Sequence, residues 1–187
     1  MKTIACFLIP VIVFFSSTDL IAQSELPMPM IGQAAPSFKL RGLDGKIYSL
    51  EQYSGQYVVI HLAATWCPFC NAEAPHLEQL YKDYKQKGVQ VLIIDVKESK
   101  DIVTKMSQKF RFSFPVLLDE DGAVSTSYAP AGVQPDLARD EVPLASNLII
   151  DKDGNIRFYS LLNTTTFDAK LTKVKQTLDE LLSTSDK

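Results

Sequence analysis

Cys67 and Cys70 stand two residues apart in the stretch TWCPFCN. A pair at this spacing has three common uses: metal ligands, a structural disulfide, or a dithiol that exchanges disulfides. A structural zinc site needs four ligands, and His61 and His76 are the only histidines that could complete one. A disulfide across two residues closes a very small loop and stabilises little through chain entropy. The ligand count and the loop size therefore favour dithiol exchange.

The neighbouring residues place Cys67 between a strand and a helix. The run YVVIHLAAT at 57–65 is continuously apolar and β-branched, which is typical of a strand buried on both faces. From 68 to 87 apolar residues recur at helical spacing, and Gly88 ends the pattern. Pro68 suits the first helical position, where its missing N–H costs nothing. Cys67 is therefore expected at or near the N-terminus of a helix.

That position gives the two cysteines different chemistry. Unpaired backbone N–H groups and the helix dipole stabilise an anion at a helix N-terminus. The pKa of Cys67 should therefore fall into the range of about 3.5–7.5 found at such sites. Cys70 follows one turn later on the same side, within disulfide reach but deeper in the helix. This arrangement predicts that Cys67 attacks an external disulfide and that Cys70 resolves the mixed disulfide.

The first 22 residues have the pattern of a secretory signal. Lys2 supplies a positive start, residues 4–15 are apolar, and small residues precede a plausible cleavage point after Ala22. An apolar run of this length is too short for a bilayer core of about 30 Å. We expect a cleaved signal peptide at 1–22, with retention as a membrane anchor as the alternative. The mature protein is then extracytoplasmic, either periplasmic or secreted.

The remaining chain predicts one domain behind a short arm. Residues 23–35 lack periodicity and indicate a linker arm, whereas residues 36–187 are long enough to bury a core. The net charge of −3 gives no reason to expect nucleic acid or an anionic membrane surface as a partner. A single cysteine pair in the mature chain also excludes a small disulfide-stapled scaffold.

Strand and helix patterns alternate along this domain, which indicates an α/β sandwich. A hairpin at 37–50 turns at Asp44-Gly45, the dipeptide that tight hairpins favour. Further strands are predicted at 89–96, 114–119, 145–151 and 156–162, and further helices at 99–110 and 171–182.

The segment WCPFCNAEAP resembles the motif W-C-x-x-C-x-x-E-x-P of the TlpA/ResA-like thiol–disulfide oxidoreductases, an exported branch of the thioredoxin superfamily. The similarity extends over most of the predicted domain and includes the stretches FPVLLDEDGAVSTSY and NLIIDKDGNI. It implies a thioredoxin-like fold: α/β, with a central mixed β-sheet flanked by helices and an added N-terminal β-hairpin. It also implies an enzyme without a cofactor, usually a reductase. Its expected partners are a disulfide-containing protein substrate and an upstream thiol electron donor.

The resemblance assigns further residues to the site. Cys67 matches the nucleophile, Cys70 the resolving thiol, and Trp66 a flanking contact surface, with Glu73 an acidic residue close to the pair. Glu73 lies three residues after Cys70 on the same helix face, where a carboxylate could take or return the Cys70 proton. The alternative is a solvated residue near a favourable helix N-terminus.

His61 departs from the family pattern. It lies six residues before Cys67 on the buried strand, where thioredoxins place an acidic residue and the TlpA/ResA branch commonly an asparagine. A histidine there could relay protons beneath the thiols, because its charge changes in the physiological range. It could equally be a neutral core histidine whose pKa is lowered by burial.

A second departure concerns the substrate-docking loop, which we assign to Pro143, Leu144 and Ala145. Relatives usually carry a cis-proline just before the strand written here as NLIID, and that position falls near Ala145, two residues after Pro143. Either the chain bulges so that Pro143 serves, or Ala145 takes the place of the proline. A cis bond without proline costs about 2.5–4 kcal/mol, so a trans bond is expected at Ala145. The long loop at 129–146 is expected to shape partner specificity.

Two other functions compete with disulfide reduction. A peroxiredoxin-like peroxidase would need P-x-x-x-T-x-x-C around its reactive cysteine, but Ile60 and Ala64 occupy the proline and threonine positions. A redox-inert binding module on the same scaffold would not need the cysteine pair. The sequence therefore predicts an exported thiol–disulfide oxidoreductase.

Overall fold

The computed structural model describes residues 30–129 and 144–185. The predicted signal peptide, the first part of the linker arm and residues 130–143 lie outside these ranges. Residues 130–143 include Pro143 and most of the loop that is expected to shape partner specificity. The strands are β1 (Lys39–Gly42), β2 (Ile47–Ser49), β3 (Tyr57–Ala63), β4 (Val89–Val96), β5 (Val116–Asp119), β6 (Ser146–Ile150) and β7 (Ile156–Ser160). The helices are α1 (Pro68–Tyr84), α2 (Lys100–Phe110), α3 (Ala123–Ser127) and α4 (Thr172–Ser185).

The strands form one mixed sheet in the order β2-β1-β5-β4-β3-β6-β7. The three inner strands β3, β4 and β5 run parallel, and every other pairing is antiparallel. Every residue of β3 is buried, as its apolar, β-branched composition predicts for a central strand. The predicted mixed sheet with an added N-terminal hairpin is confirmed.

Each face of the sheet carries its own apolar core. Successive strand residues point to opposite faces, so β3 contributes Val59 and Ala63 to one core and Ile60 to the other. The first core also contains Leu77 and Leu80 of α1, together with both cysteines. Strand β3 and helix α1 thus position the dithiol by packing on the same face of the sheet.

Helix α1 begins and ends as its sequence predicts. Cys67 is the N-cap and Pro68 the first helical residue. At the other end the helix tightens into a 3-10 turn, Lys85–Lys87, and stops at Gly88. Gly88 has φ +79°, a left-handed conformation that glycine adopts without steric cost.

The sequence did not predict helix α3, which has only five residues. It follows the Gly122 turn, and the Asp119 carboxylate accepts hydrogen bonds from the backbone N–H groups of Val124 and Ser125. Those bonds supply partners for N–H groups that a short helix cannot satisfy internally.

The start of the described chain is tied to the sheet. The N–H of Gly32 donates to Ile156, the N–H of Ala35 donates to Gly154, and Ala34 pairs with Asn155. Part of the predicted linker arm therefore lies along the beginning of β7. Within the two described ranges, no helix is both long enough and apolar enough to cross a membrane.

Candidate active site

Cys67 lies at the N-cap of α1, with its sulfur facing the first turn. The backbone N–H of Cys70 donates to Cys67 Sγ at 3.2 Å. Hydrogen bonding from the Cys70 thiol, supported by the backbone N–H groups of Cys70 and Phe69, lowers the pKa of Cys67 to about 6. The direction matches the prediction from the helix N-terminus. Cys67 is therefore largely a thiolate at neutral pH.

Cys70 has the opposite character. Its hydrogen bond to Cys67 and its burial both raise the pKa of the Cys70 thiol. The two cysteines are unlinked, and each is only 3% exposed. The site thus holds one thiolate and one thiol in contact. A substrate disulfide can reach the Cys67 sulfur only after neighbouring groups shift.

A buried polar chain lies on the same face of the sheet as the dithiol. Asn147 Nδ2 donates to Glu73 Oε1 at 2.9 Å, and Asn147 Oδ1 lies 3.0 Å from His61 Nδ1. The three residues come from α1, β6 and β3 and are each at most 3% exposed. Asn147 thus connects the two groups that the sequence singled out separately.

Glu73 is buried rather than solvated. Burial, together with the negative charges of Cys67 and Asp168, raises the pKa of Glu73 to about 8, although the hydrogen bond from Asn147 opposes the shift. Its second oxygen, Oε2, has no hydrogen-bond partner among the described residues. A protonated carboxyl is therefore the main form of Glu73 at neutral pH.

His61 is a neutral imidazole. Complete burial lowers the pKa of His61 to about 4, although the hydrogen bond with Asn147 opposes the shift. Because Asn147 presents its oxygen, Nδ1 of His61 carries the hydrogen and donates. Nε2 is then a buried acceptor without a partner among the described residues.

A cavity of about 80 Å³ adjoins Glu73 on the side of α4. It exceeds the space that one water needs, and polar side chains supply partners for several. The polar residues that line it are Glu73, Asn147, Ser160, Asn163, Thr166, Asp168 and Lys173. Water in this cavity can exchange protons with the Glu73 carboxyl.

Ala145 lies directly before β6, in the predicted substrate-docking loop. Its peptide bond is trans, as expected, and its backbone is left-handed with φ +55°. Its N–H donates to the carbonyl of Leu62 at 2.9 Å, which fixes the start of β6 beside the end of β3. Leu144 is half-buried against the apolar core that contains the two cysteines. Pro143 lies outside the described residues.

The surface next to Cys67 is apolar. Trp66 is 70% exposed. Phe69, between the two cysteines, packs edge-on against Phe167 with ring centroids 4.9 Å apart. These side chains flank the position from which a substrate would approach.

Sequence reasoning missed Asn147 and Asp95. Asn147 meets His61 only through the β3–β6 register, which no local pattern reveals. Asp95 could have been found, because it is a charged residue inside the otherwise apolar run VLIIDV. It is 1% exposed, on the sheet face that carries the dithiol.

The fold and the site together define a thioredoxin-like protein with a reduced dithiol at the start of its first long helix. The family model of the AhpC/TSA family matches residues 31–159. The chain belongs to this family.

Similar proteins confirm the resemblance that the motif indicated. The "Thiol-disulfide oxidoreductase ResA" of Bacillus thuringiensis subsp. konkukian is 33% identical over 126 residues, covering 67% of this chain and 66% of that protein. The protein of the same name from Geobacillus thermodenitrificans is 32% identical over 127 residues, covering 68% of this chain and 67% of the other. The chain thus aligns with about two thirds of each relative.

A solved structure confirms the fold. The thioredoxin domain of a thiol–disulfide oxidoreductase from Bacteroides vulgatus superposes with a TM-score of 0.62. The superposition covers 78% of this chain and 96% of the Bacteroides vulgatus chain, and the two sequences are 21% identical. At this identity the likeness establishes the thioredoxin fold alone.

Proposed function

We propose that the protein is an extracytoplasmic thiol–disulfide oxidoreductase that reduces protein disulfides. The observation that carries this proposal is the asymmetry of the dithiol: Cys67 is stabilised as a thiolate, whereas Cys70, in contact with it, is held as a thiol. An attacking thiolate and a retained second thiol are what disulfide exchange requires. The names of the ResA relatives support the same activity.

The reaction proceeds in two exchanges. The Cys67 thiolate attacks one sulfur of the substrate disulfide, which forms a Cys67–substrate bond and releases the other substrate sulfur as a thiolate that takes up a proton. Cys70 then loses its proton and attacks Cys67 Sγ. The second substrate thiol leaves, and a Cys67–Cys70 disulfide remains. The substrate gains two electrons, and the upstream thiol donor later returns them to the dithiol.

Glu73 is the group that accepts the Cys70 proton. It follows Cys70 by one turn, and the Cys67 charge is one cause of its raised pKa. Once Cys67 is bound in the mixed disulfide, that charge disappears and the pKa of Glu73 falls. The carboxyl therefore becomes a stronger acid, and its carboxylate is more populated, in the intermediate whose resolution needs a base. The adjoining cavity lets water carry the proton away.

His61 acts as a positioning residue in this proposal rather than as a charged relay. Its neutral Nδ1–H holds the oxygen of Asn147, which turns the Asn147 amide group toward Glu73. Of the two interpretations that the sequence left open, the neutral core histidine is the one that the burial and the lowered pKa support.

The docking surface is proposed to comprise Trp66, Phe69 and the segment just before β6, where Leu144 is half-buried and Ala145 is buried. The exposed indole and the neighbouring phenyl ring offer apolar contacts to a polypeptide beside its disulfide. Location outside the cytoplasm rests on the apolar segment at 4–15, and N-terminal sequencing of the protein from fractionated cells tests it.

A trapping experiment tests the proposed activity. Cys70→Ser removes the resolving thiol, so a mixed disulfide with the natural substrate should accumulate on Cys67 and be released by reductant. Cys67→Ser is the matched control and should capture nothing. Equal capture by both variants would contradict the assignment of the nucleophile.

Turnover assays separate the competing functions. Reduction of insulin disulfides by the wild-type protein is expected, and both cysteine variants should lack it. Peroxide consumption, measured in parallel, is expected to be absent because Ile60 and Ala64 replace the residues that a peroxidase motif requires. Peroxide turnover without insulin reduction would favour the peroxidase.

A further inference from the structure

Asp95 is a buried carboxyl group that the proposed reaction does not use. It lies near the carboxyl end of β4 and pairs in register with Ala63 of β3. It is 1% exposed, and neither of its oxygens has a hydrogen-bond partner that would stabilise a carboxylate. An ionised carboxylate in this environment would lose its hydration without compensation, so the protonated form is favoured.

Burial raises the pKa of Asp95, and the carboxylate of its charged neighbour Glu98, in the β4–α2 loop, raises it further. Glu98 accepts two hydrogen bonds from Thr65: one from its backbone N–H, and one from its hydroxyl at 2.6 Å. A protonated Asp95 can donate its own hydrogen to Glu98, which gives both carboxyl groups a partner.

Thr65 connects this pair to the nucleophile. Its carbonyl accepts from Asn71 Nδ2 at 2.8 Å, and the same amide group donates to the carbonyl of Cys67 at 2.9 Å. The N–H of Cys67 in turn donates to the carbonyl of Ala64 at 3.1 Å. The turn before Cys67 is thus held on one side by Glu98 and on the other by Asn71.

We propose that Asp95 and Glu98 share one proton and, through Thr65, position the turn that keeps Cys67 Sγ against the N–H of Cys70. They are positioning residues, since neither contacts the sulfur. The proposal rests on Cys67 being the reactive thiol of the proposed function. Loss of Glu98 or of the Thr65 hydroxyl would let the turn move, which would weaken the hydrogen bonds that stabilise the thiolate.

The shared proton has a defined pH range. Burial and the charge of Glu98 raise the pKa of Asp95 to about 8, so the pair holds its proton at neutral pH. Other titratable groups face the same core or adjoin it. They are His61 of β3, Cys67 at the N-cap of α1, Cys70 and Glu73 of α1, and the exposed Lys97 next to Glu98 in the chain. The substitutions must therefore distinguish the titration of Asp95 from the titration of these other groups.

The first test measures the alkylation rate of Cys67 in the purified protein as a function of pH, with the modified peptide identified by mass. Glu98→Gln and Thr65→Val should lower the rate near about pH 6 by on the order of tenfold, because the pKa of Cys67 rises. Thr65→Ser keeps the hydroxyl, and Glu120→Gln changes an exposed carboxylate, so both should keep the wild-type profile. An unchanged profile in folded Glu98→Gln or Thr65→Val overturns the positioning role.

The second test asks which carboxyl group holds the proton. Asp95→Asn retains a donor toward Glu98, whereas the similarly sized Asp95→Leu does not. We expect the Asn variant to keep the wild-type alkylation rate below about pH 7 and the Leu variant to fall on the order of tenfold. Infrared difference spectra between the wild type and Asp95→Asn should show the band of a protonated carboxylic acid, because protonated Glu73 contributes equally to both spectra and cancels. Identical behaviour of the two variants, or absence of that band, overturns the shared proton.

These readouts do not depend on disulfide turnover. If insulin reduction fails while the alkylation profiles change as expected, the proposed function is wrong and the positioning pair stands. If turnover is present and the profiles do not change, the positioning pair is wrong and the function stands.

Discussion

In the proposed reaction, two residues one turn apart on α1, Cys70 and Glu73, control how the mixed disulfide is resolved. The raised pKa of the Cys70 thiol keeps it protonated until a base is available. Glu73 is largely protonated while Cys67 is charged and more readily ionised once that charge is gone. The order of the proton transfers then follows the order of the sulfur exchanges.

Glu73→Gln should slow the resolution step by on the order of a hundredfold, because general base catalysis contributes about that much or more. The amide keeps the size of the side chain and one oxygen for Asn147. Rapid-mixing kinetics would resolve the two exchanges, and the first should change little.

Glu78→Gln is the matched control for that prediction. Glu78 is a second buried glutamate of α1, but it accepts hydrogen bonds from Ser113, and neither cysteine is among its contacts. It should lose stability without slowing resolution. An equal slowing by both variants would mean that general disturbance of the helix, not the loss of a base, is responsible.

His61→Gln should leave the pH midpoints of disulfide exchange where they are. An imidazole with a pKa of about 4 does not change charge above about pH 5, and glutamine can still donate to Asn147. The free energy of unfolding should fall by about 1–3 kcal/mol as buried contacts are lost. If a pH midpoint of the wild type were missing in the variant, His61 would change charge during exchange, which would support the charged relay. Nitrogen NMR of the imidazole in the wild type gives an independent check, since hydrogen on Nδ1 is expected.

At the scale of the elements, the junction between β3 and β6 fixes the backbone at Ala145. Ala145 uses its N–H for the carbonyl of Leu62 and adopts a positive φ. A proline has no N–H and requires φ near −65°. The proline that the motif resemblance leads us to expect near this position would therefore not fit the backbone found at Ala145.

Ala145→Pro should accordingly destabilise the protein by more than about 2 kcal/mol, from the lost hydrogen bond and the forced change of φ. Urea denaturation monitored by the fluorescence of the single tryptophan, Trp66, measures the difference. Ala145→Gly tolerates the observed φ and should stay within about 1 kcal/mol of the wild type. A proline variant as stable as the wild type would mean that this junction can adopt the geometry that a proline requires.

Sequence patterns located the strands and the three long helices because each of these elements carries a local signal. The apolar run of β4 and the helix that stops at Gly88 were both predicted within a few residues. Helix α3 was not, because its caps come from the Asp119 side chain rather than from its own composition.

The site was predicted in part for the same reason. Cys67, Cys70 and Glu73 lie within one helix start, so spacing alone brings them together. Asn147 reaches the site through the register of the strands, although it lies 86 residues from His61 in the chain. Glu98 reaches the site through a loop contact with Thr65, 33 residues away. Contacts of this kind depend on the packed fold and leave no periodic trace in the chain.

At the scale of the whole molecule, the buried ionisable groups make stability depend on pH. Folding raises the pKa of Glu73 from 4.5 to about 8 and that of Asp95 from 3.8 to about 8. Between about pH 6.5 and 8 the native state therefore holds two protons that the unfolded chain has lost. Cys67 has the opposite effect: its pKa falls from 9.0 to about 6, so the native state has lost a proton that the unfolded chain still holds. His61, with a pKa lowered from 6.5, contributes only below this window.

The net uptake is one proton, so the free energy of unfolding should fall by about 1.4 kcal/mol per pH unit across this window. Glu73→Gln or Asp95→Asn alone removes one proton and should flatten the dependence. The double variant should reverse its sign. Urea titrations of the reduced protein at several pH values measure these slopes. A flat wild-type profile would show that one of the two carboxyl groups is ionised in the native state, and a profile that rises with pH would show that both are.

The backbone pairing of residues 32–35 with the beginning of β7 also determines which way the domain faces. Strand β6 starts beside the dithiol, where Ser146 pairs with Leu62, and β7 starts at the far end of β6. The five residues of β6 separate the two ends by about 16 Å. The polypeptide therefore enters the domain at the end opposite the cysteines. A surface or fusion partner coupled through that entry leaves the reactive end pointing outward, which suits the protein to immobilised disulfide capture.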